Sequence, residues 1–253
     1  MPDNALIRLE DYPTRAPLEF SKHDTKKHTN KLARRIADLQ HILYAQKKYG
    51  VLIIFQGMDA SGKDGATRKI FSYCSPIGIN ATGFKKPTEE EFAHDFLWRI
   101  HRHAPAKGMI QVFNRSHYED VLIQRVHQWI DEPTVDQRIN AINDFETNLS
   151  QDNDTTILKF YMHISPERQK AKLRERIEDP RKQWKHNPGD WEELQHWDAY
   201  RKCYEDVLNR STIPWIIAPV DQRWYRDYFI ASKIVEALES LPLVLPTLNN
   251  EKD

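Results

Sequence analysis

Between residues 31 and 48 the chain places Leu32, Ile36, Leu39 and Leu43 at spacings of three and four, one apolar stripe along a helix. Gly50 ends that pattern, and Val51-Leu52-Ile53-Ile54-Phe55 follows without alternation. A continuous apolar run of this kind predicts a strand covered on both faces, as in the middle of a parallel sheet. A polar, glycine-containing turn comes next, and Asp64 to about Tyr73 reads as helix. Asn80 to Phe84 reads as a short strand. Thr88 and Glu91 form the capping box of a helix expected to carry Phe92, Phe96 and Ile100 on one face. Met109 to Phe113 predicts a second apolar strand, ending at Asn114-Arg115-Ser116 and followed by a helix with Leu122, Val126 and Ile130. Thr156 to Ile164 is a further strand, with Ser165 as N-cap and Pro166 as first helical residue behind it. Ile213 to Val220 is entered through Pro214 and left through Pro219, which places it toward a sheet edge. Ile230, Ile234 and Leu238 mark a last helix. Strands alternating with helices predict an α/β fold with a mostly parallel, doubly wound sheet, whose ligands sit beyond the strands' carboxyl ends.

At 253 residues the chain is long enough for one large domain or two small ones, and no repeat, low-complexity tract or linker divides it. We therefore expect a single domain over 1–253, with an N-terminal extension at 1–23 and a tail at 242–253. Lys plus Arg is 37 and Asp plus Glu is 37, so the net charge is zero. A neutral chain makes a poor general nucleic-acid coat, and any basic function must be local. No uncharged apolar run approaches the roughly 18 residues that span a bilayer, so no membrane partner is expected. Met1 to Phe20 holds no stretch resembling a secretion signal, which predicts a cytoplasmic location. The two cysteines, Cys74 and Cys203, read as small buried hydrophobes rather than as a disulfide framework.

The sharpest motif is Gly57-Met58-Asp59-Ala60-Ser61-Gly62-Lys63-Asp64, a G-x-x-x-x-G-K phrase directly after a buried strand and directly before a helix. Glycines there let the backbone wrap a phosphate, successive N–H groups point inward, and the helix N-terminus adds partial positive charge. Lys63 supplies a full one. The residue after the lysine is Asp64, where the usual loop has a hydroxyl for magnesium, and Asp59 puts a second acid inside the loop. Two carboxylates beside a phosphate cradle would repel the ligand unless a divalent cation lies between them, which predicts dependence on Mg2+. Asp59 is the stronger metal candidate. Asp64 reads equally as a ligand and as a carboxylate favoured in the first helical turn.

Asn114-Arg115-Ser116-His117-Tyr118-Glu119, at the carboxyl end of the second apolar strand, faces the same crevice. Arg115 can grip phosphate oxygens in a bidentate manner, while Asn114 and Glu119 can orient metal-bound water or a ribose hydroxyl. His117 reads as structural. From Arg168 to Lys185 basic residues outnumber acids, consistent with either a solvated helix face or a basic flap turning at Asn187-Pro188-Gly189-Asp190. Arg176 is the first candidate in such a flap, placed at about residues 174–192. Trp184, Trp191 and Trp197 could stack on a base, but packing explains each better. Transfer between two phosphates needs no strong base; the obstacle is repulsion, and Lys63, Arg115, Arg176 and Mg2+ answer it.

These phrases resemble the polyphosphate kinase 2 family over roughly Asp24 to Leu241: Phe55-Gln56-Gly57 through Gly65, His94-Asp95-Phe96-Leu97-Trp98-Arg99, Phe113-Asn114 through Glu119, and Trp184-Lys185 with Trp197 and Tyr200. The resemblance implies a P-loop kinase-like three-layer sandwich with helices on both faces of the sheet and a helical basic lid. It implies phosphate binding by Lys63 and Arg115, a catalytic or metal role for Asp59, and lid function for Arg176. Asn-Arg-Ser-His-Tyr-Glu in place of Asp-Arg-Ser-Trp-Tyr looks like the subgroup acting on AMP and ADP. ATP formation at the expense of inorganic polyphosphate is implied, with GDP as a further acceptor and a dimer or tetramer as the assembly. The candidate set is then Asp59, Lys63, Arg115, Glu119 and Arg176 for catalysis. Gly57, Ala60, Ser61, Gly62, Lys63, Asp64, Lys85, Asn114, Arg115, Arg125, Arg176 and Arg181 are the candidates for phosphate or nucleotide contact, and Asp59 and Asp64 for metal. An ATP-dependent nucleoside monophosphate kinase would want the same parts, and a noncatalytic nucleotide sensor the same loop.

Overall fold

The computed structural model describes residues 6–248. Helix α1 (Lys22–Gln46) leads into β1 (Gly50–Gln56), α2 (Lys63–Ile70) and β2 (Ile79–Gly83). Two single-turn helices, α3 (Glu89–Phe92) and α4 (Trp98–His101), precede β3 (Ile110–Asn114), α5 (Glu119–Val126) and α6 (Glu132–Asp152). Then come β4 (Thr155–His163), α7 (Pro166–Glu178), α8 (Gly189–Glu193), α9 (Trp197–Arg210), β5 (Trp215–Pro219) and α10 (Arg223–Ser240). The strands form one parallel sheet in the order β2-β3-β1-β4-β5. Every residue of β1 is buried because it lies at the centre with strands on both sides and helices on both faces. α1, α2 and α10 pack together, and α5 packs on α6 and α9 to form the other layer. β5 lies at the edge, as its flanking prolines predict.

Three helical expectations need correction. The capping box is present, with Thr88 Oγ1 accepting from the Glu91 amide at 3.2 Å and the Thr88 amide donating to Glu91 Oε2 at 2.8 Å. The helix behind it nevertheless lasts one turn, because the Asp95 carboxylate takes the Leu97 amide at 2.9 Å and offers the backbone an alternative to the helical ladder. Phe92 is left 60 % exposed while Ile100 is buried, so the two do not share a face. Similarly, the helix carrying Leu122 stops at Val126; Gln128 turns left-handed at φ 56° and Asp131 caps α6 by accepting from the Thr134 amide at 3.0 Å. α6 itself escaped the periodicity reading, although Asp131-Glu132-Pro133 is a helix-start signal. α1 begins ten residues before the apolar stripe does, where Ser21 accepts from the Asp24 amide at 3.2 Å.

The segment assigned to an N-terminal extension is fastened to the domain: Leu9 is buried, Thr14 Oγ1 donates to Asp221 at 2.9 Å, and the Ala16 amide donates to Gln222 at 2.7 Å. Cys203 is buried and Cys74 half-buried, both unpaired. Among the described residues no helix is long and apolar enough to cross a membrane.

Candidate active site

The parallel register carries β1, β3 and β4 to a common carboxyl edge, with Phe55 level with both Asn114 and Phe160. The loop after β1 turns there through Gly57 at φ 146°, Ala60 at 60° and Gly62 at 100°. Two of these need glycine. A Cβ at Gly57 would stand 2.9 Å from the Met162 carbonyl oxygen, and one at Gly62 would collide with the Arg226 guanidinium. Ser61 is fully buried beneath the loop. The Lys63 ammonium folds back over the loop and donates to the carbonyls of Gly57 at 2.7 Å and Met58 at 3.2 Å. Burial, reinforced by the neighbouring Arg115 charge, lowers its pKa from 10.5 to about 8.

Arg115 is the hinge of the site. Its backbone is left-handed at φ 62°, a costly conformation for a non-glycine residue. Its guanidinium pairs with Asp59 on one side and donates to Glu119 Oε2 at 3.0 Å on the other. Those carboxylates, Glu119 first, hold it firmly charged. Asn114 donates to Asp64 Oδ1 at 3.2 Å, and Lys185 reaches Asp64 Oδ2 at 3.1 Å from the opposite wall. Arg176 pairs with Asp190 and donates to the Lys185 carbonyl at 3.3 Å, which ties α7 to the 183–190 turn.

Together these groups line an open cleft of about 1130 Å³, above the roughly 300–1,000 Å³ usual for small-molecule pockets. Twelve of its lining residues are Lys or Arg and six are Asp or Glu, so a chain of zero net charge concentrates an excess of six positive charges in one place. Asp59, Ala60, Gly62, Lys63, Asp64, Lys85, Arg115, Arg176 and Arg181 all lie on this lining. Asn114 borders it through Asp64, and Glu119 stands behind Arg115, lining with Gly57 a small recess on the far side of the Asp59–Arg115 pair. Arg125 does not line the cleft: it forms ion pairs with Glu132 at 2.6 Å and Asp206 at 2.7 Å, linking α5 to α6 and α9. Trp184 departs from the packing expectation, standing 78 % exposed at the cleft wall, whereas Trp197 packs against the core.

Seven of the twelve basic residues of the cleft lay outside the candidate set, and two of them are buried. Arg226, at the start of α10 and 3 % exposed, donates to the Gly62 carbonyl at 3.0 Å and braces the loop from behind. Beside it, Lys172 is buried among Arg226, Arg168 and Arg223, and burial lowers its pKa to about 7. The available signal for Arg226 was its position just past the carboxyl end of a strand, where a parallel sheet collects its ligands.

The family model for polyphosphate kinase 2 matches residues 19–242. The chain belongs to the polyphosphate kinase 2 family. It is 42 % identical over 218 residues to the AMP/ADP-polyphosphate phosphotransferase of Meiothermus ruber, covering 85 % of this chain and 81 % of that one. It is 38 % identical over 259 residues to the ADP-polyphosphate phosphotransferase of Rhodopseudomonas palustris, covering 95 % and 88 %. The crystal structure of polyphosphate kinase 2 from Arthrobacter aurescens TC1 superposes with a TM-score of 0.92 at 37 % identity, over 96 % of this chain and 89 % of that one. As a member of this kinase family the chain is a phosphotransferase, and the three-layer α/β sandwich expected from the resemblance is the fold observed.

Proposed function

We propose that this protein transfers a phosphoryl group between inorganic polyphosphate and AMP or ADP, directly and in line, within the cleft beyond β1 and β3. The observation that carries the reading is the excess of six positive charges on a cleft too large for one small anion. Two polyanions repel each other, and cations aimed at both lower the barrier more than any general base would. Lys63 and the loop amides cradle one phosphate, Arg115 presents its fork between the loop and α5, and Arg176 brings the basic wall of α7 over the reacting groups. The names of the Meiothermus and Rhodopseudomonas relatives support the same donor and acceptors.

Asp59 and Asp64 both reach the cleft, and their hard oxygen donors suit Mg2+, which is commonly held by one or two carboxylates together with substrate phosphates. Among the described residues no cluster of three or more His, Cys, Asp or Glu could hold a metal without substrate, which fits an ion that arrives with the phosphates. When bound, Mg2+ supplies charge neutralisation of the phosphate oxygens. Asp59 is paired with Arg115 and Asp64 with Lys185, so each carboxylate would hold the ion only on giving up that partner. The reading includes a cytoplasmic location and assembly into a homo-oligomer.

The deciding experiment incubates purified protein and Mg2+ with AMP, ADP or GDP, offers polyphosphate or ATP as separate donors, and follows products by chromatography. ADP and ATP forming from polyphosphate is the expected result. Transfer only from ATP would make the protein a nucleoside monophosphate kinase, and binding without product would make it a sensor.

A further inference from the structure

Behind the second motif lies a charged cluster that takes no part in lining the cleft. Lys159 on β4, Glu146 on α6 and His117 are fully buried, and Tyr118 is 1 % exposed. The Lys159 ammonium donates to Glu146 Oε2 at 2.6 Å and to the Tyr118 hydroxyl at 2.7 Å. Tyr118 donates onward to Glu146 Oε1 at 2.9 Å, and His117 Nε2 lies 3.2 Å from that same oxygen. Burial alone would raise the Glu146 carboxyl, but the His117 hydrogen bond and the Lys159 charge hold it below its ordinary value. A buried pair of this kind is a poor source of stability, since well-packed apolar residues commonly do as well. Apart from His117 Nδ1, which is buried without a hydrogen-bond partner, the polar side-chain atoms of these four residues are all engaged, and a network so joined fixes one arrangement of its groups.

What this network joins is the turn of Arg115. His117 and Tyr118 follow two and three residues after the arginine, whose left-handed backbone the surroundings must hold in place. The other side of the turn is fastened to β1: the Arg115 amide donates to the Phe55 carbonyl at 3.0 Å, Ser116 Oγ donates to Gln56 Oε1 at 3.2 Å, and Gln56 reaches Glu119. The geometry points to Glu146 and Lys159 as positioning residues for phosphoryl transfer, which clamp the 114–119 turn so that the Arg115 fork and Glu119 meet the reacting phosphates at one angle. This inference rests on the proposed function.

The test replaces the pair together, Glu146→Gln with Lys159→Met, so that no buried charge is left alone. In the folded variant, amide exchange should quicken within 114–119 and not across the sheet. Turnover should fall about tenfold while KM for nucleotide and for polyphosphate stays within about twofold, as expected for a misaimed group rather than a lost binding contact. Made in an Arg115→Lys background, the same pair should change kcat by less than about twofold, because the two sites act through one geometry. Unchanged turnover, an equal loss in both backgrounds, or exchange quickened evenly through the fold would each overturn the clamp. If the paired variant does not fold, Tyr118→Phe removes only the hydroxyl link and is judged by the same comparisons. Amide exchange needs no substrate, so a wild-type protein that ignores polyphosphate would sink the proposed function while the exchange pattern still decided whether the clamp exists.

Discussion

The Lys63 ammonium makes a prediction in which ligand affinity and fold stability move in opposite directions with pH. Its pKa is about 8, lowered from 10.5 by burial and by Arg115. A phosphate in the loop favours the charged form, so ligand selects protonated protein. With a pKa of about 8, roughly nine-tenths of the sites are charged at pH 7 and one-tenth at pH 9, and affinity should fall about tenfold, or about 1.4 kcal/mol. The ligand's own phosphates have second pKa values of about 6 and lose no binding charge over that interval. Stability runs the other way. The unfolded lysine binds its proton up to about 10.5 and the folded one only to about 8, so between those values the unfolded state holds more protons and stability rises with pH. From pH 8 to 9.5 this amounts to about 1.5 kcal/mol for Lys63 alone. Titration calorimetry with tripolyphosphate at pH 7, 8 and 9, and urea unfolding at pH 8 and 9.5, should be run on the wild type and on Lys63→Met, and the differences taken. Affinity that is flat from pH 7 to 9, or a fall of the same size in Lys63→Met, would refute the assignment of this proton to the loop lysine.

Asp59→Asn keeps the loop's shape but removes the charge that faces Arg115 and that the proposed function assigns to the cation; circular dichroism should be unchanged while turnover drops about hundredfold. Gly62→Ala forces a Cβ into the Arg226 guanidinium at a left-handed backbone position, costing about 1 kcal/mol from the backbone alone, and should lower both the thermal midpoint and kcat/KM. Arg176→Ala cuts the tie from α7 to Asp190 and to the Lys185 carbonyl, so residues 174–192 should be cleaved faster by trypsin and kcat/KM for polyphosphate should fall about tenfold or more.

Local pattern was enough to find all five strands within about two residues at each end, because an apolar run bounded by Gly, Pro or Asn depends only on neighbours in the chain. The same holds for the place of the Gly57–Lys63 loop between β1 and α2, which follows from the order of apolar run, glycine turn and helix in the sequence. Helix ends were harder, because Asp95 and Asp131 decide them through side-chain hydrogen bonds that compete with periodicity. What no local pattern contains is the pairing of Asp59 with Arg115, of Asp64 with Lys185 and of Arg226 with Gly62, separated by 56, 121 and 164 positions. Those contacts exist because parallel strands bring their carboxyl ends to one edge, where charges from distant segments meet across a cleft and take on partners that the isolated segments lack.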